Sequence, residues 1–160
     1  MNRPEGDRIV ILEDTDGDGK ADKAATFYQA PDFIAPLGIA VAKDPVGPGC
    51  KVFVCHSPHL YVFEDKDGDG KPDGPPKKLL TGFGGFDHDH GVHGILIGPD
   101  MMLYFSVGDT GVHGLKSSDG KGRKWTSNTT DCRAGTIWLL RRSVGGASPT
   151  LPRSVANRVD

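Results

Sequence analysis

A chain of 160 residues, 36% hydrophobic and 25% charged, is enough for one domain of ordinary size. Its 23 glycines and 12 prolines weigh against a helical fold, because in a helix interior Gly costs about 1 kcal/mol and Pro about 3. The formal net charge of −2 comes with no basic stripe, which argues against a nucleic-acid partner. No apolar run approaches the roughly 18 residues of a membrane helix, so no transmembrane segment is expected.

The N-terminal Met1-Asn2-Arg3-Pro4-Glu5-Gly6-Asp7 holds no apolar core of a signal peptide. The chain is then either cytoplasmic or without its natural start, and the repeats below favour the second. Arg8-Ile9-Val10-Ile11-Leu12-Glu13 is a β-rich run entering the turn Asp14-Thr15-Asp16-Gly17-Asp18-Gly19. The same arrangement returns in Leu60-Tyr61-Val62-Phe63-Glu64, entering Asp65-Lys66-Asp67-Gly68-Asp69-Gly70. Between the copies, Pro36-Leu37-Gly38-Ile39-Ala40-Val41 precedes Lys51-Val52-Phe53-Val54. After them, His93-Gly94-Ile95-Leu96-Ile97 precedes Met102-Leu103-Tyr104-Phe105-Ser106, and Gly135-Thr136-Ile137-Trp138-Leu139 follows.

A repeat of roughly 50 residues lies in the range of propeller blades. The predicted fold is therefore all-β: a partial β-propeller over residues 1–140, with about three blades of four-stranded antiparallel sheet. Propellers typically need four to eight blades, so the ring is incomplete and the chain reads as a fragment of a longer protein or a truncated product. Trp125 and Trp138 are expected to be packing residues of the blades. Residues 141–160 carry no strand pattern and are expected to form a poorly ordered or aberrant C-terminal tail.

Asp14, Asp16, Asp18 and Asp22 occupy positions equivalent to 1, 3, 5 and 9 of an EF-hand loop, and Asp65, Asp67, Asp69 and Asp73 repeat them. Alternating carboxylates on a tight turn converge on one point, which suits a calcium ion with about 6–8 oxygen ligands. The usual bidentate Glu position holds Ala25 in one loop and Pro76 in the other, and the entering segments are strand-like. Calcium loops in a β-hairpin setting are expected, with Asp22 and Asp73 completing the shell and the ion stiffening blade edges.

Cys50 and Cys55 flank a strand-like segment that, if extended, holds them roughly 16 Å apart, beyond the about 7 Å a disulfide allows. With Cys132 they read as free thiols, and no Cys-x-x-Cys-His haem site is present.

His88-x-His90-x-x-His93 resembles the zinc motif of metallo-β-lactamase-like hydrolases, but Val92 stands where that motif needs Asp, and that fold needs helices. A longer stretch carries a different resemblance. His90-Gly91-Val92-His93-Gly94-Ile95-Leu96-Ile97-Gly98-Pro99-Asp100 runs on through Leu103-Tyr104 to Val107-Gly108-Asp109-Thr110-Gly111. This resembles the soluble quinoprotein glucose and sorbosone dehydrogenases. The Asp/Gly loops are similar to those of large bacterial membrane-bound dehydrogenase-like proteins, in which such a propeller precedes helical repeats and a c-type haem domain.

The resemblance implies a catalytic base at His90 and a supporting acid at Asp109, with His93, Gly94 and Gly108 lining a pocket for pyrroloquinoline quinone (PQQ). His93 and Gly94 replace the family's usual smaller and basic residues. It further implies a sugar or alcohol substrate and a periplasmic or extracytoplasmic setting. Two other functions fit the same residues: a calcium-stabilised binding or scaffold propeller without chemistry, and a propeller lactonase in which calcium is catalytic.

Overall fold

The structure, a computed structural model, describes residues 4–85, 90–117 and 136–140, and the backbone of residues 153–155. Among these residues every regular element is a strand. The first two, β1 (Arg8–Glu13) and β2 (Lys23–Gln29), form an antiparallel hairpin. The next four are β3 (Gly38–Lys43), β4 (Cys50–His56), β5 (His59–Asp65) and β6 (Lys77–Phe83). They follow one another as an antiparallel meander, which is one complete blade. A further sheet takes the order β11-β10-β8-β7, from β7 (Val92–Ile97), β8 (Leu103–Val107), β10 (Thr136–Leu140) and β11 (Arg153–Val155). The strand between, β9 (Val112–Ser117), leaves that sheet and pairs with β6 instead.

The all-β, partial propeller-like architecture agrees with the sequence, and three details differ from it. The first unit has two strands rather than four, because β1 pairs only with β2. The middle sheet has five strands, because β9 adds to its outer edge. Within the tail, Arg153–Val155 pairs with β10, so at those positions the expectation of no strand fails. The rest of the tail lies outside the described residues, as do Trp125 and Cys132.

The period-two alternation of a pleated strand assigns each residue of the middle sheet to a face. On one face Val52, Val54 and Phe63 meet Phe27 and Phe33, with Ile9, Ile11, Tyr28 and Tyr61 packed at the margin. Phe63 anchors this layer, with its ring centroid 5.9 Å from Phe27, 4.7 Å from Tyr28 and 6.1 Å from Phe33. On the opposite face Phe53, Cys55, Leu60 and Val62 join Ile95, Leu103, Phe105, Val107, Trp138 and Leu140 of the next sheet. Trp138 is thus a packing residue, as expected, and lies between two sheets. Cys50 and Cys55 are free thiols on one extended strand, and burial pushes the Cys55 thiol up to about 12.

The loop entering β3 is fastened at its centre. The Ala35 N–H donates to Asp7 Oδ2 at 2.7 Å and the Ile34 N–H to His56 Nε2 at 3.1 Å. The His56 ring stacks on Phe33 at 4.9 Å and 12°. Because Nε2 accepts, the neutral ring carries its proton on Nδ1. Burial holds both His56 and His59 below the ordinary histidine value.

Two outcomes follow. Phe63→Ala removes the ring that three aromatics share and should cost about 3–5 kcal/mol in denaturant unfolding. Depressed histidines contribute stability that is fully present above their unfolded value near 6.5 and is lost as pH falls towards the folded value. Unfolding at pH 7.5 and pH 5.5 should therefore show lower stability at the acid side, and His56→Phe, which keeps the stacking, should flatten that dependence.

Candidate functional site

The strands give the middle sheet two chemically distinct ends. Pairing of Cys50 with Asp65 lies at one end of β4 and β5, and pairing of His56 with His59 at the other. At about 3.3 Å per residue the six steps of β5 separate the ends by roughly 20 Å. Gly38 at the start of β3 packs against the carbonyl of His93, so β7 begins at the histidine end as well.

The acidic end carries both Asp loops, fifty-one positions apart at Asp14 and Asp65. Each connects adjacent antiparallel strands, β1 to β2 and β5 to β6. They share one hydrogen-bond plan. Asp14 Oδ1 accepts the Gly17 N–H at 2.7 Å and Oδ2 that of Gly19 at 2.8 Å. Asp65 Oδ1 accepts from Gly68 at 2.7 Å and Oδ2 from Gly70 at 3.1 Å. These turns need φ of 78° at Gly17 and 74° at Gly68, which glycine adopts without strain. The N–H groups of Gly19 and Gly17 hold the Asp14 carboxyl below the usual carboxylate range. The closing residues also match: the N–H of Asp22 donates to Glu13 O at 3.0 Å, and that of Asp73 to Glu64 O at 2.8 Å.

In each loop three carboxylates offer oxygen atoms within 4.8 Å of one another, an arrangement that could hold a metal ion. The sets are Asp14, Asp16 and Asp18 in the first loop, and Asp65, Asp67 and Asp73 in the second. Asp22 stands apart from its set, since its carboxylate takes the Thr15 hydroxyl at 2.7 Å. Asp69 stands apart as well and caps the Lys71 N–H at 2.8 Å. The loops differ in setting. Asp65 is only 4% exposed, with Gly49 and Pro48 packed against the backbone of its loop, whereas the first loop is exposed throughout.

At the histidine end, β7 and β8 hold a side-chain pair predicted from sequence. His90 precedes β7, Asp109 follows β8, and the pairing of Val92 with Val107 brings the two loops together. His90 Nδ1 lies 2.5 Å from Asp109 Oδ1, with both side chains half exposed at 56% and 44%. Because the Asp109 carboxylate can only accept, the ring bears a proton on Nδ1, and in the neutral ring the lone pair is then on Nε2. The backbone beneath is fixed twice. The Gly108 N–H donates to Gly91 O at 2.8 Å, and the Thr110 hydroxyl donates to His90 O.

The remaining predicted residues part company. Gly108 is explained by packing, since a Cβ there would meet the His90 carbonyl at 2.6 Å. Gly94 is exposed, and a Cβ there would meet only Ser106 Oγ, at 3.4 Å, so that side of β7 is open to a ligand. His93 is half buried and its carbonyl accepts the Cys55 thiol at 2.8 Å. His88 lies outside the described residues, and His90 and His93 belong to no metal-holding group among those described.

Ser57 was not legible in the sequence. Its hydroxyl donates to Gly84 O at 3.2 Å and accepts the Val92 N–H at 3.3 Å, tying the middle blade to the start of β7. A lone Ser before a Pro carries no pattern that would reveal this.

The fold and site thus define an all-β, propeller-like domain with paired acidic loops at one end of its blades and a His–Asp pair at the other. Residues 1–139 match a family described as a domain of unknown function, DUF7133, and the chain belongs to that family. No curated protein and no solved structure matches it.

The two glycines separate by substitution. Gly108→Ala drives a methyl into backbone and should cost about 1–3 kcal/mol in thermal or denaturant unfolding. Gly94→Ala should leave stability within about 0.5 kcal/mol of the parent.

Proposed function

We propose that this domain is part of the propeller of a quinone-dependent sugar or alcohol dehydrogenase, with calcium held structurally by the Asp loops. The observation that carries the proposal is the His90–Asp109 pair, which joins a half-exposed imidazole to an acid that fixes its tautomer. The residues around it suit the cofactor that the sequence resemblance implies: Gly94 leaves an open approach, and His93 lies beside it on β7. PQQ, when bound, would supply the hydride acceptor. His90 Nε2 would take the hydroxyl proton of the substrate, and Asp109 would stabilise the imidazolium that results.

Calcium is the ion that hard carboxylate oxygens on Asp/Gly turns favour. The roughly 20 Å between the ends argues for a structural ion and against the lactonase reading, in which the metal would have to reach the reacting atoms. The open first unit favours a domain that is inactive as these 160 residues alone. A periplasmic or other extracytoplasmic setting, and transfer of electrons to a haem c domain elsewhere in the protein, accord with such chemistry. Among the described residues no helix is long and apolar enough to cross a membrane.

Two measurements test the proposal. In the full-length protein, supplied with PQQ and calcium, His90→Ala should lower dye reduction with a sugar or alcohol panel by about 10²–10⁴-fold. Retention of full activity would remove His90 as the base. Calcium added to the metal-stripped chain should raise its thermal midpoint, since a ligand bound only by the folded state stabilises that state. Asp65→Asn should erase more of that rise than Asp14→Asn, because Asp65 is the buried one.

A further inference from the structure

The edge of β7 carries a backbone donor that its own sheet does not use. β7 ends the order β11-β10-β8-β7, so only one of its edges has a partner strand. Gly91 O turns towards β8, where it accepts the Gly108 N–H at 2.8 Å. Across the trans peptide the Val92 N–H points the opposite way, to the unpaired edge. Val92 is fully buried, so this N–H needs an acceptor from the protein. The acceptor is the Ser57 hydroxyl, at 3.3 Å.

Ser57 belongs to the neighbouring blade, in the turn between β4 and β5. The same hydroxyl donates to the carbonyl of Gly84, just past the end of β6, at 3.2 Å. On its other side the Gly84 N–H donates to Gly111 O at 2.9 Å. Gly111 lies two residues after Asp109, as Val92 lies two residues after His90. Two residues of the middle blade, Ser57 and Gly84, therefore bridge the segments that carry the pair. The fit is close. A Cβ on Gly91 would fall on Ser57 Oγ, one on Gly84 would meet Thr110 O at 2.8 Å, and one on Gly85 would meet Gly91 N at 2.7 Å. The turn of Ser57 is itself held by Pro58 O, which accepts the N–H groups of Gly82 at 3.0 Å and Phe83 at 3.2 Å. The bonds from Gly108 and Thr110 reach the His90 segment from the end of β8. The bridge fastens it from the opposite side.

We propose that Ser57 is a positioning residue for His90. Through Val92 and Gly84 it sets the approach of the imidazole to the Asp109 carboxylate, and with it which ring nitrogen carries the proton. Its bearing on catalysis rests on the reading of His90 as the base. The place needs a short side chain that donates and accepts at once, which Ser and Thr supply and Ala does not.

The test follows the tautomer directly. The chain is labelled with ¹⁵N-histidine, and the His90 signals are assigned by their loss in His90→Gln. At about pH 9, well above the ordinary histidine value, His90 of the parent should carry its proton on Nδ1. Ser57→Ala should move its ring nitrogens towards a mixture of tautomers, and Ser57→Thr should restore the parent signals. Ser57→Cys keeps the volume with weaker hydrogen bonds; it should lie between, and it serves if the alanine variant does not fold. Thr81→Val removes a hydroxyl that meets His59 Nδ1 at 2.8 Å on the same blade, and should leave the His90 signals unchanged. Parent His90 signals in a folded variant that lacks the Ser57 hydroxyl would overturn the proposal. In the full-length protein with PQQ and calcium, Ser57→Ala should lower kcat about tenfold or more and leave KM within about twofold. An unchanged kcat, where His90→Ala is inactive, would overturn the role of Ser57 in the reaction. Should His90→Ala keep full activity while Ser57→Ala moves the tautomer, the base assignment falls and the positioning role stands.

Discussion

The two-faced middle sheet is the constraint on which everything else rests. A strand pleat sends neighbouring side chains to opposite sides, and here both sides are apolar. Val52, Val54 and Phe63 require a cover on one side, and Phe53, Leu60 and Val62 on the other. Antiparallel sheets often leave one face to water, but this one cannot. The units must therefore stack, and stacking fixes which ends of the strands share a surface. The positions of the acidic loops and of the His–Asp pair are consequences of that stacking.

Much of this was legible in the chain. The recurrence of Asp-x-Asp-Gly-Asp-Gly after a β-rich run located β1, β5 and the loops that follow them, because carboxylates and glycines at those spacings have few other uses. The pairing of His90 with Asp109 was legible only through resemblance to a family. Nineteen positions separate the two residues, and nothing in their spacing says that β7 and β8 will bring them together.

What was not legible is equally specific. Alternation identifies a strand but does not choose its partner, so β9 reads like any other strand and its transfer to β6 is invisible. At Gly108 the structure shows backbone clearance beside His90, a demand that the sequence does not distinguish from ligand contact because a glycine gives the same letter for both. Asp22 and Asp73 look equivalent in sequence, yet Thr15 offers a hydroxyl to Asp22 where Lys66 offers Asp73 only its N–H, so only Asp73 joins its cluster.

The separation between the two ends of the blades has an electrostatic corollary. At physiological ionic strength charges in solvent are screened over about 8 Å, well short of the roughly 20 Å along β5. Gain or loss of a divalent charge at the aspartates would therefore be nearly silent at the imidazole. An ion held at the aspartates and the proton affinity of the imidazole would then be independent quantities, each adjustable by substitution without retuning the other.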